Sequence, residues 1–294
     1  MIPCGRLPIW VTIDGYSPDE KLERFLRETV PFGVILFARH IKSQKQVSEL
    51  TEAIRSWSPG TVRIALDQEG GRVSRLRELG YEFRSAESCA GDPWKARSTA
   101  SEMAAALSEL GFDVDFAPVV DLGPAEQGTG LETRLYSSDD TVVVQCARAF
   151  LEALKEREIA GCLKHFPGLG GSKVDSHRKL PVISGDPSER EAHLRPYREL
   201  DAEFVMVAHA SYEFLEDPSP STLTPRTYEL LRKIGFGGTI VTDDLTMGAL
   251  SEYGPLERLA GKSLECGADI ALFVSSEDET RRAADYLRCR HGGC

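Results

Sequence analysis

Eight short runs of apolar and β-branched residues recur along the chain. They lie at Leu7–Asp14, Gly33–Phe37, Val62–Leu66, Val114–Val120, Ala160–Lys164, Phe204–Ala208, Thr239–Thr242 and Asp269–Val274. Most are continuous in hydrophobicity and do not alternate, the pattern of strands buried on both faces of a parallel sheet. Helical periodicity fills most of the gaps, at Pro18–Thr29, Ser43–Ser56, Trp94–Leu110, Thr141–Arg157, Pro225–Lys233, Pro255–Cys266 and, last, near Ser276–Arg288. Ser17 before Pro18 and Thr224 before Pro225 mark helix starts, with proline at a first helical position. Gly111 is a helix C-cap, and Ser276 with Glu279 forms a capping box. Strand alternating with helix eight times predicts an α/β fold, a TIM-type (β/α)8 barrel, rather than a doubly wound sheet. Such a barrel needs about 250 residues, so the 294 present predict one domain over 1–294. The irregular stretch Arg72–Asp92 reads as a functional loop on that barrel.

Barrels of this kind carry their active site at the C-terminal ends of the strands. Polar residues should therefore cluster just after the apolar runs, and they do. Strand three ends in Asp67-Gln68-Glu69, strand four in Asp121, strand five in Lys164-His165, strand six in His209 and strand seven in Asp243-Asp244. One such ending is explained by capping; five converging on one rim call for a site.

The richest segment is Lys164-His165-Phe166-Pro167-Gly168, followed seven residues later by Asp175-Ser176-His177, with the glycine-rich Leu169–Val174 between them. In Asp175-Ser176-His177 the carboxylate can accept the imidazole N–H, fix its tautomer and raise its basicity. Histidine titrates near neutrality, so His177 can donate a proton and retrieve it. Asp243 and Asp244, adjacent on a strand end, point to opposite sides. One faces the barrel mouth, as a nucleophile or electrostatic stabiliser, and the bland alternative is an N-cap. Asp67 stands where it can accept from two hydroxyls. Glu69 and Arg72 are expected to pair with each other or to brace the loop. Arg134 is either a surface arginine or one that reaches a ligand hydroxyl or carboxylate.

Composition narrows the classes. The formal net charge is −11 with no basic stripe, which argues against nucleic acid. No apolar run approaches the roughly 18 residues that span a membrane, and the first residues lack the basic and apolar regions of a signal peptide. Seven cysteines form no CxxC pair. That reads as reduced thiols in a cytoplasmic protein, with Cys162 and Cys266 in the core, Cys289 and Cys294 exposed without a role, and Cys4 not a lipidation site. His165, His177 and His209 share the rim, but no HxxxH or HExxH spacing supports a metal and Lys164 would repel one. The glycine-rich loop is not a phosphate loop. No cofactor is expected.

The motifs resemble those of glycoside hydrolase family 3, and within it the bacterial β-N-acetylglucosaminidases of the NagZ type. The likeness runs through Gly33–Phe37, Asp67–Arg72, Phe116–Asp121, Lys164–Gly168, Asp175–His177, Val207–His209 and Thr242–Leu245, nearly the whole chain. It implies a retaining glycosidase, a β-N-acetylhexosaminidase, on a (β/α)8 barrel. Asp243 would be the nucleophile. His177, tuned by Asp175, would be the acid/base on a loop that closes over the sugar. Asp67, Arg134, Lys164 and His165 would bind hydroxyls of the terminal N-acetylglucosamine. The implied partner is a small carbohydrate, a disaccharide or muropeptide of peptidoglycan recycling, handled by a monomer. Alternatives are a phosphorylase of the same fold, since a histidine acid/base does not repel phosphate, another sugar specificity, and a sugar-binding homologue of impaired turnover. Where the family usually has a histidine and an aspartate in the loop, this chain has Leu169 and Gly171, and Glu132–Ser137 around Arg134 also departs from the usual pattern.

Overall fold

The computed structural model describes residues 5–123 and 125–291, so Cys4 and Cys294 lie outside it. Eight parallel strands form one sheet: β1 (Leu7–Val11), β2 (Pro31–Leu36), β3 (Arg63–Leu66), β4 (Val114–Asp115), β5 (Ala160–Phe166), β6 (Phe204–Val207), β7 (Thr239–Thr242) and β8 (Ala271–Phe273). The sheet order runs β7-β6-β5-β4-β3-β2-β1-β8. A bridge from Val241 to Ile270 joins the two ends and closes the barrel. The expected (β/α)8 architecture is the one observed.

Alternation along each strand builds two cores. Trp10, Ile35, Ala65, Val114, Phe116, Cys162, Phe204, Met206, Val241, Ile270 and Leu272 point inward and fill the barrel. Trp10 is its plug, in edge-to-face contact with Phe32, Phe116 and Phe204 at 5.6, 5.2 and 6.3 Å. Its ring demands glycine at 33, where an added Cβ would lie 2.2 Å from the indole. The outward residues meet the helices. Each Leu or Phe fully buried there contributes about 1.5–3 kcal/mol.

The helices are α1 (Glu20–Thr29), α2 (Gln44–Trp57), α3 (Pro93–Glu109), α4 (Asp140–Lys155), α5 (Pro187–Glu199), α6 (Pro225–Lys233), α7 (Leu256–Cys266) and α8 (Glu277–His291). Helix α1 shows the logic: Leu22, Phe25, Leu26 and Thr29 form its buried stripe. It starts at Glu20, not Pro18, because the Asp19 side chain accepts from the Leu22 N–H and caps it. Gly111 adopts a left-handed φ of 82° just past α3, and Ser276 and Glu279 exchange hydrogen bonds at the head of α8. Strand β4 is shorter than its apolar run, since Pro118 has no N–H for the ladder; pairing resumes as a Val119–Lys164 bridge. Helix α5 lies in a charged stretch to which the apolar pattern assigns no element. None of the described helices is long and apolar enough to cross a membrane. Cys162 and Cys266 are buried and Cys289 is exposed.

Candidate active site

The C-terminal rim is organised by paired charges. Asp67 leaves β3 and enters a small hairpin, Gln68–Gly70 against Val73–Ser74. Gln68 fixes this turn: its N–H donates to Asp115 Oδ1 at 2.9 Å, and its side-chain oxygen accepts from the N–H groups of Arg75 and Leu76. The turn aims Asp67 and Glu69 at Lys164, which projects from β5. Lys164 Nζ lies 3.0 Å from Asp67 Oδ1 and 2.7 Å from Glu69 Oε1. Arg134, on the loop after β4, grips Glu69 with two N–H donors at 2.7 and 2.9 Å. Glu69 therefore pairs with Lys164 and Arg134. The expected Glu69–Arg72 pair does not form, because Arg72 turns outward to Glu132 at 2.8 Å.

Burial and pairing compete at these groups. Burial opposes the charge on Glu69, but Arg134 and Lys164 outweigh it and hold the carboxyl well below its ordinary range. Burial likewise opposes the charge on Lys164, and Asp67 and Glu69 reverse the balance and push its pKa up. Asp115, below them, makes no direct ion pair among the described residues, and burial pushes its carboxyl well above the usual range. Arg75 also reaches Asp67, at 3.3 Å, and lines the same cavity. It carries no signal in the sequence beyond lying eight residues after Asp67.

His165 is oriented by Asp121. Its Nδ1–H donates to Asp121 Oδ2 at 2.7 Å, leaving Nε2 toward the cavity, 3.5 Å from Arg134. The other Asp121 oxygen accepts from the backbone N–H groups of His165 and Leu169, at 3.1 and 2.8 Å. Leu169 itself is 5 % exposed and packs in a cluster with Val119, Leu131, Leu135 and Ala210. The departure from the family's loop pattern thus supplies an apolar anchor at the loop base.

Asp243 and Asp244 both line the cavity. The Asp243 N–H donates to Val207 O, and one carboxylate oxygen, Oδ1, accepts from the Asp244 N–H at 2.8 Å. Its Oδ2 accepts no hydrogen bond from the described residues. Burial opposes ionisation of Asp243, yet His165, His209, the Asp244 N–H and His177 together lower its pKa. Asp244 turns its Oδ1 to Thr246 and to the Val274 N–H. His209, buried on β6, donates from Nε2 to the Asp244 carbonyl at 2.9 Å and so braces the turn.

Asp175 and His177 form a close pair. Asp175 Oδ1 accepts from His177 Nδ1 at 2.8 Å and from the His177 N–H at 2.9 Å. The His177 side chain remains 66 % exposed. Its loop docks on the turn that follows Asp243: the N–H groups of Gly248 and Ala249 donate to the carbonyls of His177 and Ser176.

Asp67, Arg134, Lys164, His165, Asp175, His177 and Asp243 thus surround one cavity of about 350 Å³, floored by Ile35, Phe116, Met206 and Leu272. A second cavity of about 450 Å³ lies on the outer side of the loops, lined by Gly168, Gly170, Ile183, His193 and Phe214, and holds none of these groups. Among the described residues no cluster of three His, Cys, Asp or Glu is arranged to hold a metal ion.

A closed (β/α)8 barrel whose charged side chains gather in one cavity at the C-terminal rim has the architecture of an enzyme. The model of the glycosyl hydrolase family 3 N-terminal domain matches residues 9–288. A β-hexosaminidase of Alkalilimnicola ehrlichii is 37 % identical over 298 residues, covering 95 % of this chain and 84 % of that protein. One from Bordetella avium is 33 % identical, with 95 % and 83 % covered. Among solved structures, native NagZ from Neisseria gonorrhoeae superposes with a TM-score of 0.86 at 30 % identity, covering 95 % of this chain and 84 % of that one. A family 3 β-N-acetylglucosaminidase from Paenibacillus superposes with a TM-score of 0.90 at 27 % identity over 96 % of this chain, which spans 56 % of that longer protein. The chain belongs to glycoside hydrolase family 3, with a β-hexosaminidase-type function.

Proposed function

We propose that the protein is a retaining exo-β-N-acetylglucosaminidase, acting as a single cytoplasmic catalytic domain on muropeptides that end in β-linked N-acetylglucosamine. One observation carries this reading: Asp243, with a free Oδ2, and the Asp175–His177 pair line one cavity with the wall formed by Asp67, Arg134, Lys164 and His165. That wall holds the glycon hydroxyls. Asp243 Oδ2 attacks the anomeric carbon as protonated His177 gives its proton to the leaving oxygen; the glycosidic bond breaks and a glycosyl ester forms. Neutral His177 then takes a proton from water, whose oxygen attacks the same carbon and releases Asp243. Asp175 fixes the imidazole tautomer in both steps. The scheme uses protein groups alone.

Water is the acceptor in this reading. The cations lining the cavity are already paired: Arg72 with Glu132, Arg75 with Asp67, Arg134 with Glu69, and Lys164 with Asp67 and Glu69. Little free positive charge is left to gather phosphate.

An aryl β-N-acetylglucosaminide assayed with and without phosphate tests the proposal. The expected product is the free sugar in both buffers; a sugar 1-phosphate would make the protein a phosphorylase, and sugar binding without turnover would make it an impaired homologue. Asp243→Ala is expected to reduce turnover to background in a protein whose circular dichroism is unchanged. His177→Ala should slow a natural disaccharide by about 10²–10⁴-fold while affecting an activated aryl glycoside far less, because only the poor leaving group needs the proton. Equal losses on the two substrates would remove His177 from the acid role.

A further inference from the structure

Glu69 is the hub of the sugar-holding wall. It is buried, and it takes three short charge-assisted contacts from two cations, Arg134 and Lys164. Four fixed cations (Arg72, Arg75, Arg134 and Lys164) line the cavity with five carboxylates (Asp67, Glu69, Asp175, Asp243 and Asp244), and Arg72 is paired with Glu132. The charge on Asp121 is committed to His165. The wall is therefore rich in donors and carries no surplus of positive charge. A neutral glycon takes its hydrogen bonds there with no Coulomb term to gain or lose. An anionic glycon would have to displace Glu69 from a bidentate contact before Arg134 could serve it.

Resting on the reading that this wall holds the glycon, we infer that Glu69 is its charge-specificity residue: it tunes Lys164 and Arg134 to a neutral sugar and rejects glycons bearing carboxylate, sulfate or phosphate. Asp67 alone does not do this. It is shared between Lys164 and Arg75, and among the described residues Arg134 pairs with no carboxylate other than Glu69.

Inorganic sulfate is the probe, titrated into the full chain at constant ionic strength. Binding is read by calorimetry and, separately, as competitive inhibition of aryl glycoside hydrolysis. Wild type is expected to bind sulfate no more tightly than chloride. Glu69→Gln keeps the side-chain shape and removes the charge, and should bind sulfate at least about tenfold more tightly. Adding Arg134→Gln should abolish the gain, and Glu69→Asp, which keeps the charge, should not show it. A Glu69→Gln protein with wild-type sulfate affinity overturns the proposal. Should that variant fail to fold, wild type supplies another arm: glucose should compete at least about tenfold better than glucuronate, and equal competition overturns the proposal. Calorimetry needs no turnover, so a failed glycosidase reading leaves the charge test readable.

Discussion

Two carboxylates stand side by side at the end of β7, and their surroundings give them different tasks. Asp243 keeps one oxygen uncommitted in a cavity of cationic and imidazole neighbours, whereas Asp244 spends its Oδ1 on Thr246 and Val274. His40, just past β2, commits both of its ring nitrogens. Its Nδ1 accepts from the Phe37 N–H at 2.8 Å and its Nε2–H donates to Ile13 O at 2.9 Å, which requires the neutral ring. Burial, aided by Arg39 and Lys42, lowers its pKa from 6.5 to about 4. The unfolded chain binds this proton first, so His40 withdraws stability as the pH falls from 6.5 to about 4, by up to about 3 kcal/mol. Denaturant midpoints across that window should fall with pH, above the range where the paired carboxylates begin to protonate. The slope should flatten in His40→Gln, which cannot titrate; an unchanged slope would assign the loss elsewhere. Asp67, Lys164, His165, Asp175, His177 and Asp243 are all legible as polar groups at or just beyond strand ends. The Asp175–His177 pair is legible as well, but the long-range partners are not: Glu69 and Arg134 meet across 65 positions that include α3 and β4, with no periodicity to relate them.

At the scale of elements, the loop that carries His177 is held at two places. Its base is fixed by Leu169 in an apolar cluster and by Asp121, and its far end rests on the turn after Asp243. Gly248 makes the second contact possible: a Cβ there would stand 2.7 Å from His177 O and 3.0 Å from Arg178 O. Gly248→Ala is therefore expected to push the loop away from the nucleophile. A displacement of about 1 Å should lower kcat on a disaccharide by about 10²-fold, with a much smaller effect on an activated aryl glycoside and on the melting temperature. If both substrates slowed together with a large loss of stability, the contact would be structural only. Strands are legible here because both faces of each are buried, which leaves continuous apolar runs. Helix α5 is not, because Leu194 and Tyr197 are the buried apolar anchors in a sequence otherwise crowded with charge and interrupted by Pro196.

For the molecule as a whole, closure is the step on which the site depends. Seven of the eight strand junctions are parallel ladders, and the eighth, between β7 and β8, is a single bridge flanked by backbone hydrogen bonds from the N–H groups of Thr242, Leu245, Asp269 and Ile270. Side chains complete it: Thr242 Oγ1 accepts from the Leu272 N–H and Asp244 Oδ1 from the Val274 N–H, each at 2.9 Å. Asp243 lies between these two stitches. The proposed nucleophile is thus mounted on the seam of the barrel, where side chains share with the backbone the work of holding the strands together. Amide hydrogens of Leu272 and Val274 should exchange ahead of those in the β2–β3 ladder, and on heating, turnover should vanish before far-ultraviolet ellipticity does. In such a protein inactivation is the first stage of unzipping, and a substrate that spans the seam acts as a clasp that delays it.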